Sequence, residues 1–508
     1  MSSITPQSLD TDTIVAVASA PGRGGVGIVR LSGPSALRIA QELCGKSEQI
    51  EPRTAVFSTF RDSAGGALDS GLCLCFPGPA SFTGEDVAEL QGHGSPVVLD
   101  QIVQTAIVRG ARMARPGEFS ERAYLNGKMD LAQAEAVADL INAASAESAQ
   151  AAVRSLRGEF SALMNKLSAD LVALRVQVEA AIDFPDEDIE LLAAPAVTQA
   201  LNDLIDTVGQ IVERTRTGVR LTEGARLVLV GAPNVGKSSV LNSLCGEERA
   251  IVTPIAGTTR DLVREQLLLQ GIPVELVDTA GMRDTTDEIE TEGVRRAQMA
   301  AREADLVLAI YDVSAPETLE FLTEWLLTER SVNSLIVDGS VAENSGTESS
   351  ATESALADKS ALVIVANKLD SQEISGISGS DSERKLAELA LTYNATAKSV
   401  SAKTGQGMQQ LTEHLVGMLT GSASIAGSAG TGGIGPVDSF SARSRHLLAL
   451  KACLAGLVDA QAGITGQLGA ELVAEHLRHA QAELGSVCGE ITTDELLGEI
   501  FGSFCIGK

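Results

Sequence analysis

Gly231-Ala-Pro-Asn234-Val235-Gly236-Lys237-Ser238 follows the apolar run 226–230 (RLVLV) and precedes the helix-forming 239–244 (SVLNSL). It satisfies G-x-x-x-x-G-K-[ST] in the strand–loop–helix setting that a phosphate-binding loop requires. The glycines let backbone wrap phosphates, and the N–H groups at the helix start face the anion. Lys237 then neutralises β/γ charge and Ser238 offers a hard oxygen to Mg²⁺. Three further elements follow in chain order. Asp278-Thr279-Ala280-Gly281 ends an apolar strand, where the Asp reaches the Mg²⁺ shell and the Gly N–H the γ-phosphate. Asn367-Lys368-Leu369-Asp370 ends another, with a carboxylate suited to the two N–H donors of guanine. Ser401-Ala402-Lys403 lies where a loop closes on the same base. Together they imply a guanine nucleotide site. Met282 stands where a Ras-like site has its water-orienting Gln, so hydrolysis needs another device. The nearby run 284–290 (DTTDEIE) offers Asp287, Glu288 and Glu290, acids that also suit a solvated loop.

Outward from this loop, residues 223–420 alternate apolar strands (RLVLVG, VELVDTA, DLVLAIYDV, ALVIVANK) with helical stretches, the pattern of βαβ units on a parallel sheet. Within them, 331–360 is rich in Ser, Glu and Ala and carries five acids against one Lys, read as a solvated insertion between a helix and the ALVIV strand. The Gly/Ser/Ala-rich 421–436 reads as a flexible linker. On either side the texture is helical. Val153, Leu156, Phe160, Leu163, Leu167, Leu171, Leu174 and Val178 recur at steps of three and four and predict a long helix over Asp130–Ile182, ending at Phe184-Pro185. Partner helices are expected at 195–219, 444–461 and 470–484. Residues 1–128 mix short β-branched runs with helix-like stretches at 35–43 and 96–113, an α+β pattern. The expected architecture is therefore multidomain, α+β and α/β. It comprises an N-terminal domain over 1–128, a discontinuous helical-bundle domain over 129–222 with 421–508, and an inserted Ras-like P-loop G domain over 223–420.

At 508 residues the chain has room for about three domains of ~150 residues. Its net charge of −28 argues against a broad cationic footprint for nucleic acid or anionic lipid. No uninterrupted apolar run approaches the ~20 residues of a membrane span, and the first residues lack a signal-peptide layout, so no membrane partner and a cytoplasmic location are expected. Seven scattered cysteines without a C-x-x-C read as free thiols. His476 and His479, three apart without a Cys or acid at a convincing spacing, read as a helix face before a metal site. Gly22-Arg-Gly24-Gly-Val-Gly27 matches G-x-G-x-x-G, but the strand-like IVRLSGP follows it, which excludes a Rossmann turn.

The segments GAPNVGKSS, AIVTPIAGTTRD, DTAGMR, NKLD, PGRGGVGIVRLSG and RPGEFSERAYLNGKMDLAQAEAVADLI, with the terminal FCIGK, resemble the tRNA modification GTPase MnmE (TrmE) family over nearly the whole chain. The resemblance implies a homodimeric GTPase whose activity K⁺ stimulates when G domains meet, without an external arginine finger. Carried onto matching positions, GTP contacts fall on Asn234, Val235, Gly236, Lys237, Ser238 and Ser239. They continue through Thr253, Pro254, Ile255, Ala256, Gly257, Thr258 and Thr259, and through Asp278, Thr279, Ala280 and Gly281. The base side takes Asn367, Lys368, Leu369, Asp370, Ser401, Ala402 and Lys403. Mg²⁺ falls to Ser238 and Thr259, and K⁺ to Asn234, Thr253, Ile255 and Thr258. Glu290 becomes the acid that positions the attacking water. Arg260 and Arg283 match switch arginines, which steady those loops or are exposed loop charges.

The resemblance also implies a site for 5-formyl- or 5,10-methylene-tetrahydrofolate at an N-terminal dimer interface, with Arg30, Glu89 and Lys128 on matching positions and Lys508 reaching in. Glu85 in the same stretch competes with Glu89 for the pterin edge, and surface charges in a dimer contact are the plainer reading. Cys505 superficially fits a prenylation box that the terminal Lys argues against. The resemblance gives it a part in the modification, with Lys508 raising its thiolate fraction; the alternative is a buried inert thiol.

The implied activity uses an FAD-containing partner, MnmG (GidA), to add an aminomethyl or carboxymethylaminomethyl group at C5 of the wobble uridine (position 34) of certain tRNAs. GTP-driven G-domain motion would travel through the long 130–182 helix, and the acidity of the chain leaves the tRNA mainly to the partner. Two other classes compete. A ribosome-assembly GTPase switch would want a basic RNA-binding appendage, and a folate-dependent aminomethyl transferase of the glycine-cleavage type has no use for 223–420.

Overall fold

The computed structural model describes residues 12–183, 195–245, 265–278, 301, 304–338, 361–371, 379–393, 395–420, 439–466, 469–489, 494–504 and 506–507. They divide into two compact units, 1–138 with 485–508, and 139–484.

In the first unit a six-stranded sheet runs in the order β3-β4-β5-β2-β1-β6, with β1 Thr13–Val17, β2 Gly24–Ser32, β3 Val56–Arg61, β4 Ala67–Phe76, β5 Val87–Gly94 and β6 Ala111–Met113. All neighbours pair antiparallel except β1 with β6. Helices α1 Ala36–Leu43 and α2 Pro96–Val108 cover one face, burying Ile39, Leu43, Ile102 and Val103 with Leu31, Phe60 and Leu90. The helix expected over 96–113 stops early. Gly110 takes a φ of +104°, and residues 111–113 become a strand because β1 offers a free edge. Gly24, Gly25 and Gly27 open strand β2, which runs on to Ser32, so the motif leads into a strand and not into a helix start, as a Rossmann turn would require.

The second unit carries a six-stranded sheet in the order β12-β11-β10-β7-β9-β8: β7 Ala225–Val230, β8 Glu265–Leu269, β9 Ile272–Asp278, β10 Leu306–Asp312, β11 Ala361–Asn367 and β12 Thr396–Ser399. Only the β8 edge pairs antiparallel. The continuous apolar runs bury both faces, as a parallel sheet between helices demands. Leu227, Leu229, Leu308, Ile310 and Val365 point to one side, with Val240, Leu411 and Leu415 of the helices Lys237–Cys245 and Met408–Leu419. Val228, Val230, Tyr311, Ile364 and Ala366 point to the other, with Leu322, Trp325 and Leu386 of Pro316–Asp338 and Gly379–Tyr393. Helix Pro316–Asp338 runs into the stretch read as an insertion, so 331–338 are its last turns; 339–360 lie outside the described residues.

The expected single helix over 130–182 is three: Leu131–Asn142, Ala146–Leu156 and Glu159–Asp183. Ser145 starts the second with a reciprocal capping box to Ser148, and Gly158 at φ +86° ends it. The apolar stripe survives in the third helix, with Met164 buried in place of Leu163 beside Phe160, Leu167, Leu171, Leu174 and Val178. Pro195–Glu223 and Ser444–Thr465 pack against one another. The latter is the one helix among the described residues long and apolar enough to cross a membrane, at mean hydropathy 1.5. Its Leu450, Cys453, Leu457 and Ala460 are buried against protein, and Lys451 and Asp459 interrupt its apolar run.

Candidate functional site

Strand order reverses at β7: the chain leaves it to build β8 and β9 on one side, then returns to place β10 on the other. Ligands bind outside the carboxyl ends of parallel strands at such a reversal. The loop 231–236 occupies that end of β7. Gly231 sits at φ +154°, and a Cβ there would stand 2.2 Å from the Ile310 carbonyl oxygen. Gly236 sits at φ +94°, where a Cβ would stand 2.4 Å from Asn367 Nδ2. Asn234 takes the left-handed conformation at φ +62°. Lys237 folds over this loop and donates to the carbonyls of Gly231 at 2.7 Å and Ala232 at 2.9 Å, curling the backbone around its ammonium. The exposed Ser238 and Ser239 begin the helix 237–245.

The base-side residues meet at the ends of β11 and β12. Asn367 is 1% exposed and bridges two loops: its Nδ2 donates to the Val235 carbonyl at 2.9 Å, and its Oδ1 accepts from the Ala402 N–H at 3.1 Å. Asp370 accepts from Ser401 Oγ at 2.7 Å and lies 3.8 Å from the Lys403 ammonium. Leu369 N–H donates to the Val400 carbonyl, tying the NKLD turn to the strand that leads into Ser401. The P-loop, NKLD and SAK segments, 172 residues apart in sequence from Gly231 to Lys403, thus form one hydrogen-bonded cluster.

Sequence reasoning missed Asp312. It ends β10, opposite Asn367 in the register, and its Oδ2 takes the Lys368 ammonium at 2.6 Å. Burial alone would raise its pKa; Lys368 and the Ser314 hydroxyl and N–H more than offset this and hold the carboxyl below the ordinary range. The only signal available in sequence was an acid closing a wholly apolar strand. Asp278 ends β9 beside β7. Its side chain lies outside the described residues, as do Thr253, Pro254, Ile255, Ala256, Gly257, Thr258, Thr259, Arg260, Thr279, Ala280, Gly281, Arg283 and Glu290.

In the first unit, Arg30 and Glu89 face each other across β2 and β5. Nε donates to Oε1 at 3.0 Å, and the guanidinium lies 5.3 Å from the Phe82 ring centre and 5.8 Å from that of Phe119. Lys128 donates to the Pro79 carbonyl at 2.9 Å, and its stem lies against Gly84. The loop 77–86 therefore touches both Arg30 and Lys128. Glu85 on that loop is fully engaged, with Ser32 Oγ at 2.6 Å and Arg122 at 3.2 Å, whereas Glu89 shares Arg30 and Gln91. Cys505 and Lys508 lie outside the described residues. Between them, Ile506 bridges Pro116, and Gly507 at φ +97° packs on the Val17 carbonyl, so residues 506–507 lie against this unit's own chain.

Cys44, Cys73, Cys75, Cys453 and Cys488 are free thiols, as expected. Among the described residues no group of three or more metal-ligating side chains forms; His479 sits on an exposed helix face, 3.9 Å from Glu483.

Comparison with known proteins matches nearly the whole chain. The family profile described as the TrmE N-terminus of GTP-binding proteins matches residues 13–128, and that of the MnmE helical domain matches 131–505. The tRNA modification GTPase MnmE of Pseudomonas paraeruginosa is 46% identical over 98% of this chain and 99% of its own length; that of Pseudomonas aeruginosa strain UCBPP-PA14 is 45% identical at the same coverage. The Legionella pneumophila protein of the same name is 43% identical over 98% of this chain and all of its own. Among solved structures, the FeoB G domain of Methanococcus jannaschii, at 20% identity over 38% of this chain and 97% of that chain, has a TM-score of 0.25, too low to bear on the fold. With a phosphate loop and a guanine-type loop joined at one sheet end, and relatives matching from end to end, the chain belongs to the tRNA modification GTPase MnmE family and hydrolyses GTP in tRNA modification.

Proposed function

We propose that this GTPase is a Mg²⁺-dependent, K⁺-activated homodimer. With the FAD-containing partner MnmG it uses a tetrahydrofolate one-carbon unit to add an aminomethyl or carboxymethylaminomethyl group at C5 of the wobble uridine of certain tRNAs. The three-part division into 1–128, 129–222 with 421–508, and 223–420 belongs to the same reading, as does a cytoplasmic location without a membrane partner.

The observation that carries the K⁺ assignment is Asn234. Its carboxamide is exposed at a left-handed turn of the phosphate loop and is used by no hydrogen bond among the described residues. A carbonyl-type oxygen beside a phosphate cradle suits a monovalent cation, whose charge would stand where an arginine finger otherwise stabilises the transition state. Ser238, exposed at the first turn of the following helix, would give Mg²⁺ a hydroxyl. The cradle itself fits a nucleotide, since Gly231 and Gly236 leave no room for a Cβ and Lys237 is already folded across the loop. Thr253, Ile255, Thr258, Thr259 and Glu290 complete the proposed ion and water-positioning set.

For folate, support comes from Arg30, Glu89 and Lys128 around the loop 77–86: a guanidinium and an ammonium suit a glutamyl tail, and a carboxylate suits the N–H edge of a pterin. Glu89, paired with Arg30 itself, is favoured over Glu85, which is paired with the buried Arg122. Tetrahydrofolate would supply the one-carbon unit; Lys508 and Cys505 are the proposed residues of this chain nearest the transfer.

GTP turnover in KCl against NaCl tests the ion assignment, with a large K⁺ advantage expected; equal rates in both salts reject it. Mass analysis of tRNA nucleosides from a strain lacking the protein tests the substrate. Undiminished C5-modified wobble uridine rejects the modification chemistry and leaves a GTPase of another use.

A further inference from the structure

We propose that Asp312 is a positioning residue of the nucleotide site, setting guanine-nucleotide affinity by holding Lys368. The proposal rests on the reading of Asn367–Asp370 as the base-binding loop. Asp312 closes the central strand β10, all of whose residues are buried. Its carboxylate is oriented from behind. Oδ1 accepts the Ser314 N–H at 2.9 Å and the Ser314 hydroxyl at 2.6 Å, and the Asp312 N–H itself donates to Thr318 Oγ1 at 3.0 Å. That leaves Oδ2 for the Lys368 ammonium at 2.6 Å, a charge-assisted contact with the carboxylate side chain 7% exposed. The register fixes where this happens: Asp312 pairs with Asn367, and the Val313 N–H donates to the Asn367 carbonyl at 3.1 Å.

Lys368 adopts φ +65°, a conformation that L side chains avoid, so its backbone is committed to one geometry between the two base-side residues. Asn367 on one side is tied to Val235 and Ala402, and Asp370 on the other to Ser401. Lys368, with four rotatable bonds and a side chain 37% exposed, would be the loose member of this loop without an anchor. Asp312 anchors its far end, so its stem becomes a fixed wall of the loop, and the ordering cost is met before nucleotide binds.

The test is a double-mutant cycle on the full-length protein, read by affinity for fluorescent GDP and by steady-state GTP turnover. Asp312→Asn keeps the shape and the Ser314 contacts but loses the charge pair. It is expected to weaken GDP binding about 5- to 20-fold and raise KM, with kcat at saturating GTP within about twofold of the parent. Lys368→Met, altered at a partly exposed side chain, should weaken binding to a similar degree, and the double variant no more than Lys368→Met alone. Asp370→Asn serves as the control for the base reading and should shift preference from guanine to xanthine nucleotides. If Asp370→Asn shifts preference but Asp312→Asn or Lys368→Met binds GDP like the parent, or the two losses add in full, the positioning role is wrong and the base site stands. If Asp370→Asn leaves guanine preference intact, the base reading fails and the proposal fails with it.

Discussion

Replacing Asn367 by Ala removes a side chain that ties the phosphate loop to the SAK loop. The carboxamide is 1% exposed, and its loss orphans the Val235 carbonyl, in a residue that is fully buried, together with the half-buried Ala402 N–H. An orphaned buried carbonyl costs about 1–3 kcal/mol, and the second bond contributes about 1 kcal/mol. The total is then roughly 2–4 kcal/mol. Both bonds lie between loops that the nucleotide must order, so a large share should appear as binding energy; at 1.4 kcal/mol per tenfold, GDP affinity should fall about 10- to 100-fold. Asn367→Asp keeps the size and the acceptor for Ala402 but turns a carboxylate oxygen toward the Val235 carbonyl, so it should be at least as damaging as Ala. Titration with fluorescent GDP, alongside a thermal melt to establish that each variant folds, measures both. If both folded variants bind GDP within twofold of the parent, the bridge does not order these loops and the reasoning is refuted.

Gly236→Ala strains the same contact from the opposite side: a side chain at φ +94° costs about 1–2 kcal/mol, and its Cβ would displace Asn367 Nδ2, so GTP turnover should fall at least tenfold in a kinetic assay at subsaturating GTP. In the N-terminal unit, the fully buried Glu118 takes both Arg112 Nη atoms at 2.6 and 2.8 Å, the Arg115 N–H at 2.8 Å and Arg122 at 3.0 Å. Burial would raise its pKa, yet these donors bring it to about 2 from an ordinary 4.5. Because the folded value lies below the unfolded one, the stabilisation, about 3 kcal/mol, is complete above pH 4.5 and is lost as pH falls from 4.5 toward 2. Urea midpoints over that window should therefore drop more steeply for the parent than for Glu118→Gln, and parallel slopes would refute the assignment.

The parts of the site that sequence made legible are those whose chemistry is written in contiguous residues. GAPNVGKS needs its glycines because backbone must pass within 2.2 Å of where a Cβ on Gly231 would meet β10, and that demand leaves a local signature. The pairing of Lys368 with Asp312 leaves none, because strand register across β10 and β11 creates it. Glu85 and Glu89 are equivalent in sequence; the fold gives them different partners, Arg122, 37 residues beyond Glu85, for one and Arg30 on the neighbouring strand for the other. The three-residue strand 111–113 was likewise invisible, since its conformation comes from the edge of β1.

The misread helix matters most for mechanism. Apolar spacing runs on past Gly158, and the alanine-rich texture past Ser145, but a left-handed glycine and a capping box break the backbone there, and these features outweigh periodicity. A rigid 130–182 rod therefore does not exist to carry motion. The unbroken element that leads into the phosphate loop is instead Pro195–Glu223, which turns at Gly224 (φ +82°) directly into β7 and, seven residues after that turn, Gly231. Near its end Thr217 donates to the Thr420 carbonyl at 3.1 Å and Arg220 to that of Met418 at 3.0 Å, gripping the far end of the same nucleotide-binding fold. Glu223 meanwhile accepts from Ser444 N–H at 2.8 Å at the start of the returning helix. Both ends of this nucleotide-binding fold thus meet one helix, so among the described residues a covalent and hydrogen-bonded route from the phosphate loop to the helices Pro195–Glu223 and Ser444–Thr465 runs through residues 217–224.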